Sequence, residues 1–457
     1  MIDCIRAAEE LSALLKDRKF EKVRTMAIEM NVVDIANVLD ELADGQLLLL
    51  YRLLPKETAA EVFSYMEGET QEKLLRILTD RELAVVMSGL YMDDAADLLE
   101  EMPANVVKRL LRMTSAEDRR NLNQLLQYPE DSAGGVLTTE FVDLKATMTV
   151  ADAFRYIRTC GPDKETIYTC YVTDRNRRLE GVITVKELLL AAEDQCVGEL
   201  MERHVISAVT TDDQERVTQL FAKYDLMALP VVDKENRLIG IITVDDVVDI
   251  LQQEATEDME KMAAITPTEK PYWRVGVWET FKTRFPWLLL LMVSATFTGM
   301  IITSFEAALS ASVALTAFIP MLMDTGGNTG SQASVTVVRG LALGDIGVRD
   351  IFRVMFKELR VGILCGVALS VAMFGKILLV DRWLLGGPVT VMEAAVVCIT
   401  LLATIVCAKL IGCSLPLLAK KIGFDPAVMA GPFITTAVDA ISLLVYFRVA
   451  TLLLHLT

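Results

Sequence analysis

Residues 426–447 read PAVMAGPFITTAVDAISLLVYF, a run of 22 residues in which Asp439 is the one charged group. At ~1.5 Å rise per residue this length matches the hydrocarbon core of a bilayer, so the run predicts a membrane-spanning helix. A carboxylate inside such a helix is costly unless it faces a partner or water, which makes a functional role the default reading. Thr435, Thr436 and Ser442 stand three or four residues from Asp439 and share its helix face, and Gly431-Pro432 loosens the backbone just before them. A polar stripe around one acid in an apolar helix describes a cation path. The structural alternative is an interhelical hydrogen bond that only holds a bundle together.

Four further spans are expected ahead of this one: 285–305, about 312–340 after a short turn near Glu306, about 356–380 and about 389–410, with the fifth over about 426–450. Arg339, Arg349, Arg353, Lys357 and Arg360 follow the second span and Lys409, Lys420 and Lys421 the fourth, whereas the opposite loops hold Lys376 and Arg382. This asymmetry predicts a cytoplasmic N-terminus and an external C-terminus. Residues 285–457 hold 9 Asp and Glu against 11 Lys and Arg, leaving 53 and 34 for residues 1–284. A strongly acidic, water-facing part is thus joined to a membrane part. Such acidity argues against nucleic-acid partners and favours cations. The opening MIDCIRAAEE has no apolar core of a signal peptide, so the acidic part is expected in the cytoplasm. Two histidines, His204 and His455, and eight cysteines without C-x-x-C spacing argue against imidazole catalysis, zinc or a disulfide framework; Cys365, Cys398, Cys407 and Cys413 read as small apolar residues of the membrane part.

Residues 1–130 read as short amphipathic helices in series, punctuated by Pro55, Pro103 and Pro129, and predict an all-α superhelix of stacked hairpins. A clear repeat lies within 131–252: YVTDRNRRLEGVITV at 171–185 aligns without gaps, at an offset of 59, with PVVDKENRLIGIITV at 230–244. Each copy reads strand, polar turn, strand, helix. This layout resembles a tandem pair of CBS domains, an α/β module. That resemblance implies a ribose-holding Thr-x-x-Asp, kept as Thr243 and Asp246 but altered to Thr184 and Glu187 in the first copy, so an ATP-type nucleotide could bind on one side; a structural strand end is the alternative. Residues 253–284 form a charged connector, expected to be helical, ending in Tyr272, Trp273, Trp278, Lys282 and Arg284, the composition of an interfacial anchor.

The second span contains DTGGNTGSQ at 324–332. Asp324, Asn328, Ser331 and Gln332 share one helix face, while Gly326 and Gly330 form a small-xxx-small pair. This segment must be buried or line water, either as a tight helix contact or as a conduit wall. The Gly326–Gln332 run, Gly431-Pro432-Phe433-Ile434-Thr435-Thr436-Ala437-Val438-Asp439 and Phe424-Asp425-Pro426, with the domain order, resemble MgtE-type magnesium channels over essentially the whole chain. Ser331 departs from the asparagine common there. The resemblance implies a homodimer whose pore is built from spans two and five of both chains, with Asp439, Thr435, Thr436, Asn328 and Gly431 around a hydrated Mg2+. That suits an ion that keeps its waters and takes one or two carboxylates. It also implies closure by cytoplasmic Mg2+ bridging the superhelix (Glu61, Asp93, Asp97), the second CBS copy (Asp213, Glu215, Asp225, Asp246, Asp249), the connector (Glu254, Asp258) and Asp425. No P-loop or nucleophile constellation is present, so an enzyme or ATP-driven pump is not expected. The other readings are a carrier coupling a divalent cation to sodium or protons, and a nucleotide-sensing receptor merely anchored in the membrane.

Overall fold

The computed structural model describes residues 4–268, 270, 272–273, 275–305, 313–384, 386 and 389–454. It forms two units, Met1–Ile250 and Leu251–Thr457.

The first unit opens with ten described helices of 8 to 13 residues, from α1 (Cys4–Lys16) to α10 (Asp118–Leu125). Such lengths are marginal in isolation, and burial of one apolar face stabilises them. Most of them pack on the helix two further along, the stacking of a superhelix. Val38, Leu50, Phe63 and Leu74 lie in its continuous core. Asn31 and Thr79 cap their helices, and Pro55 and Pro103 stand at N-cap positions where a missing N–H costs nothing.

The repeat then builds two three-stranded sheets: β1 (Val142–Leu144), β2 (Thr169–Thr173) and β3 (Leu179–Thr184), and β4 (Ala208–Val209), β5 (Ala228–Val232) and β6 (Leu238–Thr243). In each the first pair is parallel and the second antiparallel. The two copies meet at equivalent turns. Arg178 bridges Arg237, Leu179 N–H donates to the Asn236 carbonyl at 3.0 Å, and Leu238 N–H to the Arg177 carbonyl at 2.9 Å. Arg177 and Asn236, again 59 apart, both take left-handed backbone angles, with φ of 64° and 62°.

The last helix of the repeat, α15 (Val244–Met262), runs without a break through the first part of the connector. No Gly or Pro interrupts 244–262, so nothing local stops the helix. The connector is therefore helical only to Met262; the described residues of 263–276 are not, and helix resumes at Val277.

Five long helices follow: span one (Val277–Ser304), span two (Ile319–Ala342), span three (Ile351–Lys376, continued to Leu384 by π-helical turns), span four (Val391–Lys421) and span five (Pro432–Leu454). The first, third, fourth and fifth are long and apolar enough to cross a membrane. Span two carries the polar segment and starts later than expected, after a short helix Val313–Thr316, with Pro320 in its first turn. The turn placed near Glu306 and His455 lie outside the described residues. Span four continues eleven residues past its expected end at 410, so Lys409 is no loop base but a buried residue of the helix. Arg353, Lys357 and Arg360 likewise lie on the helix of span three.

Spans two, four and five meet at glycines. A methyl on Gly326 would sit 2.8 Å from Thr404 Cγ2 and 2.9 Å from Val438 Cγ1, and one on Gly330 2.7 Å from Ile434 Cγ2. Gly412 of span four leaves no room for a side chain against the Gly330 carbonyl. The small-residue pair thus serves close helix contact on one face of span two, which leaves its other face to the polar residues.

Candidate functional site

That other face is exposed. Asp324, Asn328 and Gln332, at successive four-residue steps, stand on the surface of the single chain, with Ser331 partly covered beside them. Asn328 Nδ2 donates to Asp324 Oδ1 at 3.0 Å. Asp439 is half-buried on span five, and Asp324 is the charged group whose field reaches it. The Thr435 and Thr436 hydroxyls each donate to the Pro432 carbonyl at 2.9 Å, so their own oxygens remain able to accept. Gly431, at φ of 51°, turns the chain into span five, and its carbonyl takes the Thr435 N–H at 3.0 Å. A side chain there would strike the Met262 carbonyl at the end of α15. Ser442, expected beside Asp439, is instead buried against Gly326 and bonded to the Val438 carbonyl at 2.6 Å.

In the first unit, one ligand oxygen each from Asp93, Glu165 and Asp246 lie within 4.8 Å of one another. Asp93 sits in the first turn of α8 (Met92–Glu101), Asp246 in the first turn of α15, and Glu165 in the link between α11 (Val150–Cys160) and β2. Among the described residues no base forms an ion pair with them. Burial, then repulsion from Glu165 and Asp94, drives Asp93 well above the usual carboxylate range. Burial and the Asp246 charge raise Glu165 to about 7, and burial raises Asp246. Asp94 and Asp97 on the same helix are raised to about 6 and about 7, again by burial first and neighbouring acids second. Glu165 Oε2 is buried without a hydrogen-bond partner. Carboxylates forced together and desolvated, with only hydroxyl donors to offset them, are a donor set for a hard divalent cation, which would neutralise the mutual repulsion.

Glu165 and Asp94 were not among the acids picked out from sequence. Asp94 was visible as the neighbour of Asp93. Glu165 lies in an irregular link, and only the packing of the first CBS copy brings it to the cluster. Of the remaining acids, Glu61 is exposed with its field reaching Tyr65 and Tyr91, and Asp249 is exposed one turn beyond Asp246. Asp213 caps α14 (Gln214–Tyr224) by accepting the Glu215 N–H at 2.9 Å, and Asp225 ends that helix with φ of 52°. Glu254 and Asp258 follow on α15, Asp258 raised by burial and by Asp425. Asp425 is held in an ion pair with Lys261, 2.7 Å away, and accepts the Ala427 N–H at 2.8 Å. Thr243 donates its hydroxyl to Asp246 at 2.6 Å, as Thr184 does to Glu187 at 2.7 Å, so in both copies the pair caps the following helix.

The cluster predicts a pH dependence. Its acids bind protons more tightly folded than at their ordinary values of 3.8 and 4.5. Between pH ~4 and ~7 the folded state therefore holds more protons than the unfolded one, and stability falls as pH rises through that window. Metal-free protein is expected to melt lower at pH 8 than at pH 5, and Mg2+ to reverse the loss at pH 8 far more than at pH 5. Thermal melts in EDTA and in Mg2+ check this; a metal-free melting point that rises with pH would contradict it.

Family models match along the chain: an MgtE intracellular N domain over 30–131, CBS domains over 133–194 and 197–253, and a divalent cation transporter over 319–449. The magnesium transporter MgtE of Thermus thermophilus is 37% identical over 98% of this chain and 99% of its own length. The chain belongs to the MgtE family. A second MgtE, from Bacillus subtilis, is 34% identical over 97% of this chain and 96% of its own. The crystal structure of the cytosolic domain of an MgtE Mg2+ channel in complex with ATP has a TM-score of 0.51 and 38% identity, covering 53% of this chain and 99% of that one. The soluble part of a magnesium transporter gives 0.52 and 29%, over 55% and 100%. MgtE proteins are membrane transporters with an intracellular N-terminal domain, not enzymes.

Proposed function

We propose that this protein is a homodimeric magnesium channel of the cell membrane, N-terminus inside and C-terminus outside, closed by cytoplasmic Mg2+. The observation that carries it is the exposed Asp324–Asn328–Gln332 stripe on a helix packed among membrane spans. Hydrocarbon cannot satisfy those groups, so a second copy must face them across water. Spans two and five of both chains then enclose a conduit in which Asp439 carboxylates, Thr435 and Thr436 hydroxyls, Asn328 and the backbone near Gly431 hold an ion through its hydration shell.

Closure follows from α15. Its first turn holds Asp246 of the acid cluster, and its last turn meets Asp425 and Gly431 at the start of span five. The helix begins beside the cluster in the first unit and ends in the second, so the chain itself links the two. Asp93, Glu165 and Asp246 would hold the regulatory ion, helped by Glu61, Asp97 and Asp249; Asp213, Glu215, Asp225, Glu254, Asp258 and Asp425 are the other acids assigned to regulation. Preference of the ion for the compact arrangement is what shifts the gate. The resemblance would give Thr243 and Asp246 a ribose to hold, and the ATP complex of a relative's cytosolic domain supports nucleotide binding at the CBS pair.

Recordings from purified protein in planar bilayers test the reading. Currents should reverse at the magnesium equilibrium potential, persist without sodium or proton gradients, and vanish as cytoplasmic Mg2+ is raised. Flux without current, abolished by collapsing a sodium or proton gradient at fixed voltage, would establish a carrier instead.

A further inference from the structure

The α-helical part of span three, Ile351–Lys376, buries three residues: Glu358, Gly362 and Gly366, one helical turn apart. Ser370 continues the line and donates its hydroxyl to the Cys398 carbonyl of span four at 2.8 Å. The two glycines let span four approach closely; a methyl on Gly362 would stand 3.4 Å from Val406 Cα, and one on Gly366 the same distance from Leu402 Cα. At the end of the line Glu358 Oε2 lies 3.5 Å from Lys409 Nζ, with both residues less than a tenth exposed. Glu358 Oε2 has no hydrogen-bond partner.

A smooth glycine stripe fixes how near two helices come but not how far one slides along the other. The Ser370 bond does not fix it either, because a slide of one turn, ~5.4 Å, presents another carbonyl. Lys409 is the one base of span four between Val391 and Ala419, so a slide of one turn leaves Glu358 with no base to face, and the ion pair is specific to a single register. Span three in turn begins just after span two ends. Ile346 in the link packs on Gly340 and bonds its carbonyl at 3.0 Å, and Ile351, Val354 and Met355 join a core with Val337 and Leu341 of span two and Cys413 and Leu417 of span four. Ala408 and Gly412, flanking Lys409, lie against Gly330 of span two.

We propose that Glu358 and Lys409 are positioning residues for permeation: their ion pair sets the axial register of span three on span four, and thereby the depth of the polar face of span two. This rests on the chain being a transporter, not on how it is gated. A buried ion pair is a poor source of net stability and can often be replaced by apolar residues without loss, whereas breaking one side strands a charge.

Mg2+ flux into proteoliposomes of the full chain, with the melting temperature of each variant, tests the pair. E358Q, K409M and the apolar pair E358L/K409M should each lose about tenfold or more in flux, while the apolar pair melts no lower than the wild type. The exchange E358K/K409E should recover flux to within about threefold of wild type. Should the single variants not accumulate, the two double variants carry the test. Wild-type flux from E358L/K409M, flux that falls only in step with folded protein, or a folded exchange variant as inactive as the single ones overturns the proposal. An inactive wild type would instead refute the transport reading itself.

Discussion

Replacing Asp439 by alanine is expected to abolish magnesium flux while leaving the assembly and its melting temperature intact. The side chain is half-buried on span five and takes part in no ion pair with a base among the described residues, so its removal breaks no structural contact. It also relieves the cost of holding a carboxylate among apolar helices, so stability should hold or rise. What disappears is the charge that draws a divalent ion from water. In the proposed dimer two such carboxylates would face one another, and loss of about 3 kcal/mol of ion stabilisation would correspond to a drop of about a hundredfold. Asp439→Asn should fail as badly despite its matching shape, because the neutral amide loses the charge and puts N–H donors in place of one acceptor toward ion-bound waters that can only donate. Asp439→Glu, keeping the charge on a longer arm, should retain part of the flux. Growth of magnesium-starved cells restored by Asp439→Ala, or unaltered uptake by reconstituted protein, would show that ions pass elsewhere.

The membrane character of the second unit was legible because 22 residues with one charge admit few other structures. The CBS pair was legible for a different reason: a gapless repeat forces two copies of one supersecondary unit, and the bridge between Arg178 and Arg237 falls at the repeat offset. What escaped the sequence depends on distance across the chain. Lys409 was counted as a loop base because charge normally ends a span; its partner Glu358, 51 residues earlier, is what allows it inside. The connector was separated from the CBS pair on composition, yet α15 crosses that boundary because charged residues are good helix formers. Asp425 was picked out as one of the acids bridged by magnesium; that Lys261, one turn after Glu257, reaches both acids is set by packing and not by any local pattern. Glu165 belongs to no periodic element, and no local pattern announces it.

Glu165 gives the regulatory reading its sharpest consequence. The double variant D93N/E165Q is expected to require about tenfold more cytoplasmic Mg2+ for closure, with single-channel current unchanged. Two of three clustered oxygens lose their charge while Asp246 keeps its hydrogen bond from Thr243, so the candidate nucleotide contact survives. The same substitutions should act oppositely on the metal-free protein. Folding the native chain forces these desolvated acids to keep protons or repel one another, a cost that amides avoid, so metal-free melting should rise and lose its pH dependence. Mg2+ should then add little further stability, because a ligand stabilises only through the state it prefers. The two effects have one cause and must appear together: a metal-free chain made more robust, and a gate made less sensitive. A variant that melts higher in EDTA but still closes at the wild-type Mg2+ concentration would separate the cluster from the gate. Control of the conduit would then have to lie with acids nearer its mouth, Asp258 and Asp425 among them.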